Sequence, residues 1–164
     1  LHVQSQVIWV KNCMVLGQAD YQWQHEPCWY GWTPGKNHYW CGRRDLTSVW
    51  DHRKDANSNY EHPAQKPVSL AQEAIRNSCP GGGVVLDLFL GSGSTLIACQ
   101  MEGRVCSGIE LVPHYCDVVL QRWASFTGLD PVRRSDGLKF SEVRACAAKI
   151  ARPRTQKSPA CTGS

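Results

Sequence analysis

The rhythm of apolar and polar positions changes near residue 67. Before it, β-branched and aromatic residues gather in two short runs, SQVIWV at 5–10 and TSVWD at 47–51, each predicting a strand. Between them, residues 20–44 (DYQWQHEPCWYGWTPGKNHYWCGRR) hold four of the seven tryptophans with no helical or strand period, which predicts a long aromatic loop region with short strands. From residue 67 the pattern is regular. Pro67 can open a helix with Val68, Ala71, Ala74 and Ile75 on one face, and CPGGG at 79–83 ends it. VVLDLFL at 84–90 reads as a buried strand, Thr95 to Glu102 as a helix stopped by Gly103, and VCSGIE at 105–110 as the next strand. A third helix starts at Pro113, with Val112, Tyr115, Cys116, Val119, Trp123 and Phe126 at helical spacing as far as Gly128. Helices alternating with strands imply parallel pairing and an α/β sheet.

The turn between the first regular strand and its helix, Gly91-Ser-Gly93-Ser-Thr95, stands where a doubly wound sheet binds ligands. It carries neither familiar nucleotide signature. Leu96 replaces the third glycine of a dinucleotide fingerprint, and the lysine of a phosphate loop is missing. Asp87, the turn and Glu110 would all face one crevice at the carboxyl ends of the strands. Glu110 lies nineteen positions after Gly91, the distance for a carboxylate that accepts hydrogen bonds from a ribose diol. A cofactor without phosphates, such as S-adenosylmethionine, still calls for glycines at a close backbone approach. Taken alone, the turn also fits a buried strand-turn-helix with Glu110 as a solvated strand end.

The 164 residues suffice for one domain and are few for a complete two-substrate enzyme; the chain begins with Leu, consistent with a missing N-terminal part. No apolar run reaches the roughly 20 residues of a membrane span, and no signal-peptide pattern opens the chain. Nine cysteines without a Cys-x-x-Cys, several in apolar stretches (Cys99, Cys106, Cys116), read as small buried hydrophobes in a reducing compartment. Residues 129–164 hold eight Lys/Arg against three Asp/Glu, so the net charge of +4 belongs to a basic and flexible tail, solvated or touching a polyanion.

Two motifs in order, His62-Pro-Ala-Gln-Lys-Pro67 and Asp87-Leu-Phe-Leu-Gly-Ser-Gly-Ser-Thr95, followed by an acid after the next strand, resemble the amino-group DNA methyltransferases that make N6-methyladenine or N4-methylcytosine. The order looks like the permuted arrangement in which the catalytic half precedes the cofactor half. IWVKN at 8–12 and DYQWQHEPCWYGW at 20–32 are similar to the segment after the catalytic motif in phage and plasmid members, and FTG near 126 and DGLKFSEV near 136 look like the usual end of such chains.

The resemblance implies a Rossmann-like S-adenosylmethionine-dependent methyltransferase sheet with helices on both faces, incomplete at its N-terminus. Residues 1–128 would be the C-terminal part of that domain, with 1–60 as the aromatic base and DNA side and 61–128 as the cofactor half. The cofactor set it implies is His62, Pro63, Gln65, Lys66, Pro67, Asp87, Phe89, Gly91, Ser92, Gly93, Ser94, Thr95 and Glu110. Trp23, His25, Glu26 and Tyr30 would lie near the target base, with Trp29 and Trp32 as stacking or wall residues; a small aromatic core under a loop reads the same way. Lys36, Arg43, Arg44, Arg53 and Lys54 could meet phosphates or be scattered surface charge.

The implied partner is double-stranded DNA in the cytoplasm of a bacterium or phage-infected cell, in restriction-modification, and an exposed sheet edge would favour association, a homodimer included. Leu88 stands where the family usually has proline. The family's catalytic Asp/Ser-Pro-Pro-Tyr motif, expected before residue 5, is nowhere in the sequence, so no catalytic residue is assigned and the chain alone should be inactive. Two other readings stay open. His25, Cys28, His38 and Cys41 have the spacing of a small zinc site in a nucleic-acid-binding module, and the chain could be an inactive methyltransferase remnant.

Overall fold

The structure, a computed structural model, describes residues 2–53 and 65–151. Strands β1 (His2–Val15), β2 (Trp23–Trp32) and β3 (Val49–Asp51) form one sheet in the order β2-β1-β3. β1 and β2 run antiparallel, with Trp9 opposite Glu26 and Val10 opposite His25, whereas β3 joins β1 in parallel, with Trp50 opposite Trp9. The expected aromatic loop is therefore corrected: ten of its residues are a regular strand. The alternation is present but disguised, because the outer positions Trp23, His25, Pro27 and Trp29 are as bulky as the half-buried Glu26, Cys28, Tyr30 and Trp32 between them. Among the described strands β2 lies at the sheet edge, the position where Pro27 is tolerated without its N–H.

The second half follows the predicted alternation: α1 (Val68–Ser78), β4 (Val84–Asp87), α2 (Ser94–Glu102), β5 (Val105–Gly108) and α3 (Pro113–Thr127). β4 and β5 pair in parallel with Val85 opposite Cys106 and Asp87 opposite Gly108. Both strands stop short of their predicted ends, because the chain leaves the ladder at Asp87 and Gly108 to form the loops of the crevice. Ile75 of α1 and Ala98 and Cys99 of α2 are buried together, with Val68, Ala71, Cys79, Val85 and Cys106 packed against them. The thiols of this cluster act as the small apolar fillers expected, and burial pushes that of Cys99 up to about 12, so it stays protonated. Side chains on the opposite side of the β4–β5 pair, Val84, Leu86 and Val105, are exposed. The outer positions of β1–β2 end in an equally bare hairpin tip, where Met14, Leu16, Tyr21 and Trp23 are exposed.

The basic segment expected as a flexible tail is folded as far as Ala151, the rest lying outside the described residues. Local contacts shape it: Asp136 takes both ends of a fork from Arg133 at 2.5 and 2.9 Å, and Asp130 accepts from the Ser141 hydroxyl at 2.6 Å and its N–H at 3.3 Å. Helix α4 (Phe140–Ala151) then starts with the Glu142 carboxylate accepting from the Lys139 N–H at 2.8 Å, the carboxylate half of a capping box.

One residue anchors the first sheet. Trp9 is 1% exposed, and its indole donates to the His52 carbonyl at 2.9 Å. Trp9→Ala should lower stability by about 3–5 kcal/mol in urea unfolding, whereas Trp23→Ala at the exposed tip should stay within about 0.5 kcal/mol of the parent.

Candidate functional site

The crevice is built where β4 and β5 release the chain. The Asp87 carboxylate accepts from the Phe89 N–H at 3.0 Å, and backbone bonds from Ile109 to Asp87 (2.8 Å) and from Leu90 to Ile109 (2.9 Å) extend the strand pairing into the loops. The turn then doubles back through two left-handed glycines, Gly91 at φ 56° and Gly93 at φ 81°, a conformation that disfavours any residue with a Cβ. Glu110, leaving β5, closes it. One carboxylate oxygen accepts from the Gly91 N–H at 2.8 Å and the other from the Val112 N–H at 2.9 Å. Its first task is thus to shape the turn from the neighbouring strand.

The serines of the turn face inward. Ser92 and Ser94 are buried, Ser94 Oγ donates to the Lys66 carbonyl at 2.7 Å, and Arg122 of α3 donates to the Ser92 carbonyl at 3.0 Å. The Lys66 ammonium lies 2.5 Å from one oxygen of Glu26, while Lys11 lies 2.7 Å from the other. Both ammonium groups stand over the Trp9 ring, 5.3 and 5.7 Å from its centroid. Pro67 is fully buried behind them.

A cavity of about 820 Å³ opens between the two sheets, with one side of α1 (Leu70, Ala74, Asn77) along it. It brings together Gln65, Lys66, Asp87, Phe89, Gly91, Ser92, Ser94, Thr95 and Glu110 with Tyr30 and Trp29. Pro67, fully buried, and Gly93, packed against Val119 of α3, do not line it, and His62 and Pro63 lie outside the described residues. Three of the residues expected near a target base are elsewhere: Trp23 and His25 pack on each other at 5.2 Å on the outer face of β2, and Glu26 belongs to the lysine pair. Sequence reasoning did not single out Trp40, Leu46 and Trp50, which also line the cavity. The readable signal is a second stripe of α1, where Leu70, Ala74 and Asn77 recur at helical spacing; Ala74, expected on the face of Val68, Ala71 and Ile75, belongs to this stripe instead.

Residues 2–121 match the family of N6/N4 methylases, described as DNA methylase. The chain belongs to that family. It is 41% identical over 61 residues to the type II methyltransferase M.ScaI of Streptomyces caespitosus, covering 37% of this chain and 20% of that protein. It is 42% identical over 67 residues to the putative methylase YubD of Escherichia coli K12, covering 41% and 30% respectively. Among solved structures, the M1.HpyAVI–SAM complex superposes with a TM-score of 0.63 at 24% identity, over 74% of this chain and 62% of that one. The putative DNA modification methylase TTHA0409 of Thermus thermophilus, complexed with S-adenosyl-L-methionine, gives a TM-score of 0.57 at 24% identity, over 84% and 56%. This chain therefore spans a third or less of those curated relatives and somewhat more than half of those solved chains.

In this methylase chain the zinc reading is corrected. His25 and Cys28 alternate to opposite faces of β2, the His38 ring stacks on Trp32 at 3.7 Å, and the Cys41 thiol donates to Asn77 Oδ1 at 3.6 Å. Among the described residues no group of His, Cys, Asp or Glu is arranged to hold a metal. Of the basic residues considered for phosphates, Arg43 is held by Asp45 at 2.5 and 3.0 Å. Lys36, Arg44 and Arg53 are exposed, and Lys54 lies outside the described residues.

Burial pushes the Glu26 carboxyl up, but hydrogen bonds from Lys11 and then Lys66, together with their charges, outweigh it and hold the group below the usual carboxylate range. A carboxyl depressed in the folded state stabilises fully above its ordinary value of about 4.3 and loses that contribution as pH falls through the lower folded value. Urea midpoints should therefore fall more steeply with acid below about pH 4.3 in the parent than in Glu26→Gln.

At the turn, a Cβ on Gly93 would meet Val119 of α3 at 3.1 Å, whereas one on Gly91 would meet only the Phe89 carbonyl at 3.9 Å. The obstacle at Gly93 is thus α3. Gly91→Ala should cost about 1–2 kcal/mol for its backbone alone, and Gly93→Val distinctly more; equal losses in thermal unfolding would contradict this assignment.

Proposed function

We propose that this chain carries the S-adenosylmethionine-binding half of a DNA methyltransferase acting on an exocyclic amine of double-stranded DNA. Adenine N6 is the preferred target and cytosine N4 the second. The observation that carries the reading is the charge of the cavity. Asp87 and Glu110 line its glycine turn, and the one cation among its described lining residues, Lys66, is engaged by Glu26. Such a lining disfavours a phosphate and suits a ligand with a sulfonium and an ammonium. When bound, S-adenosylmethionine supplies a methyl group already activated by its sulfonium.

The residues divide that work. Asp87, already fixing the Phe89 N–H, is placed to receive an ammonium, and Glu110 adds ribose hydroxyls to the amides it holds, since each carboxylate oxygen accepts more than one bond. Phe89, 89% exposed at the mouth of the turn, offers an apolar face to an adenine ring. The aromatic end of the cavity, with Trp29, Tyr30, Trp40 and Trp50, is where a flipped base would stack. Groups that accept the amine hydrogens are supplied in the family by the Asp/Ser-Pro-Pro-Tyr motif, which is not among these 164 residues. No described helix is long and apolar enough to cross a membrane. We place the protein's work in the cytoplasm, on bacterial or phage DNA, with self-association through the edges of its described sheets.

Calorimetric titration tests the cofactor. The chain should bind S-adenosylmethionine, and Glu110→Ala should lose about 1.5–3 kcal/mol of that binding; unchanged affinity would remove Glu110 from the site. Labelled-methyl transfer to duplex DNA should be absent with these residues alone and appear when they are joined to a segment bearing the catalytic motif. Robust transfer by the 164 residues would place the amine acceptors within the aromatic region instead.

A further inference from the structure

Behind the cavity wall, three polar side chains form a constellation that the proposed chemistry does not use. His52, the residue after β3, is half-buried between two partners on α1: its Nε2 lies 2.6 Å from Glu73 Oε2 and its Nδ1 lies 3.1 Å from Ser69 Oγ. Ser69 and Glu73 are four positions apart and so share one face of α1. A neutral imidazole satisfies both contacts, donating from Nε2 to the carboxylate and accepting the serine proton at Nδ1. The same residue's carbonyl holds the Trp9 indole at 2.9 Å, and Trp9 carries the Lys66 ammonium on its ring at 5.3 Å. His52 therefore grips Lys66 from two directions: by its backbone through Trp9, and by its side chain through α1, which begins two residues after Lys66.

We propose that His52, clamped by Ser69 and Glu73, is a positioning residue for cofactor binding that sets how Gln65 and Lys66 enter the cavity wall. The proposal rests on the S-adenosylmethionine reading above. The order serine, imidazole, carboxylate is also that of a hydrolytic triad, but Ser69, His52 and Glu73 do not line the cavity, so the trio acts through other groups. Its consequence reaches the turn directly, because the Lys66 carbonyl accepts the Ser94 hydroxyl at the start of α2. Release of α1 from β3 would let Lys66 slide relative to Trp9 and loosen Ser94 with it.

The test measures S-adenosylmethionine affinity and urea midpoint side by side for the full chain and its variants. His52→Ala should weaken binding about five- to tenfold, and His52→Gln, whose amide nitrogen can donate to Glu73 in place of Nε2, should return it to within about twofold of the parent. The double variant His52→Ala, Glu73→Ala should be no weaker than His52→Ala alone, the non-additivity expected of one shared contact. Unchanged affinity in the folded His52→Ala protein, with only its midpoint lowered, would overturn the proposal and leave the cofactor site standing. Should His52→Ala not fold, Ser69→Ala decides: about two- to threefold weaker binding supports the clamp, and parent affinity overturns it. Absence of binding by the parent chain itself would overturn both the clamp and the reading beneath it.

Discussion

A single carboxylate shared by two lysines over one tryptophan holds the two halves of this molecule in register. Glu26 comes from β2, Lys11 and Trp9 from β1, and Lys66 from the segment that enters α1, so the group ties the first sheet to the element from which the rest of the crevice is built. Two cations on one anion would repel in isolation. Here the Trp9 face lies beneath both, and its quadrupole offsets part of the excess positive charge. The same arrangement explains why Lys66, the one cation among the described residues that line the cavity, adds little positive potential there.

From Lys66 the dependence passes outward by hydrogen bonds. Its carbonyl takes the Ser94 hydroxyl, Arg122 ties the turn to α3, and Glu110 holds the turn from β5. Each loop of the crevice is thus fixed from an element other than its own. Such cross-bracing produces a preorganised backbone without requiring a long rigid turn, and glycine at positions 91 and 93 supplies the left-handed conformation that the bracing then fixes.

How much of this was legible follows from where the determinants lie. The parallel half, with α1, β4, α2, β5 and α3, announces itself through apolar periodicity, and its glycine turn and Glu110 sit where spacing put them. β2 was not legible, since aromatic residues on its exposed side erase the contrast between inside and outside that reveals a strand. Glu26 is expected beside a base only through the family resemblance. Its real partners, Lys11 and Lys66, are fifteen and forty positions away, a pairing that only the antiparallel register and the path into α1 can create. The folded stretch 129–151 was missed for a similar reason: its net charge suggests repulsion, while the pairing of Arg133 with Asp136 and of Asp130 with Ser141 depends on local geometry.

The distribution of thiols has a practical meaning. Cys13 and Cys146 are exposed, whereas Cys99 is 1% exposed, in the layer that joins α1 and α2 to β4 and β5. A thiolate-seeking reagent such as an alkylating maleimide meets the first two in the native protein and reaches Cys99 only when that layer opens, because a thiol held near 12 offers almost no thiolate at neutral pH. Cys99 is therefore a native reporter whose labelling rate reads the opening of the α1–β4–α2–β5 layer directly, residue by residue in a peptide map, without any probe being introduced.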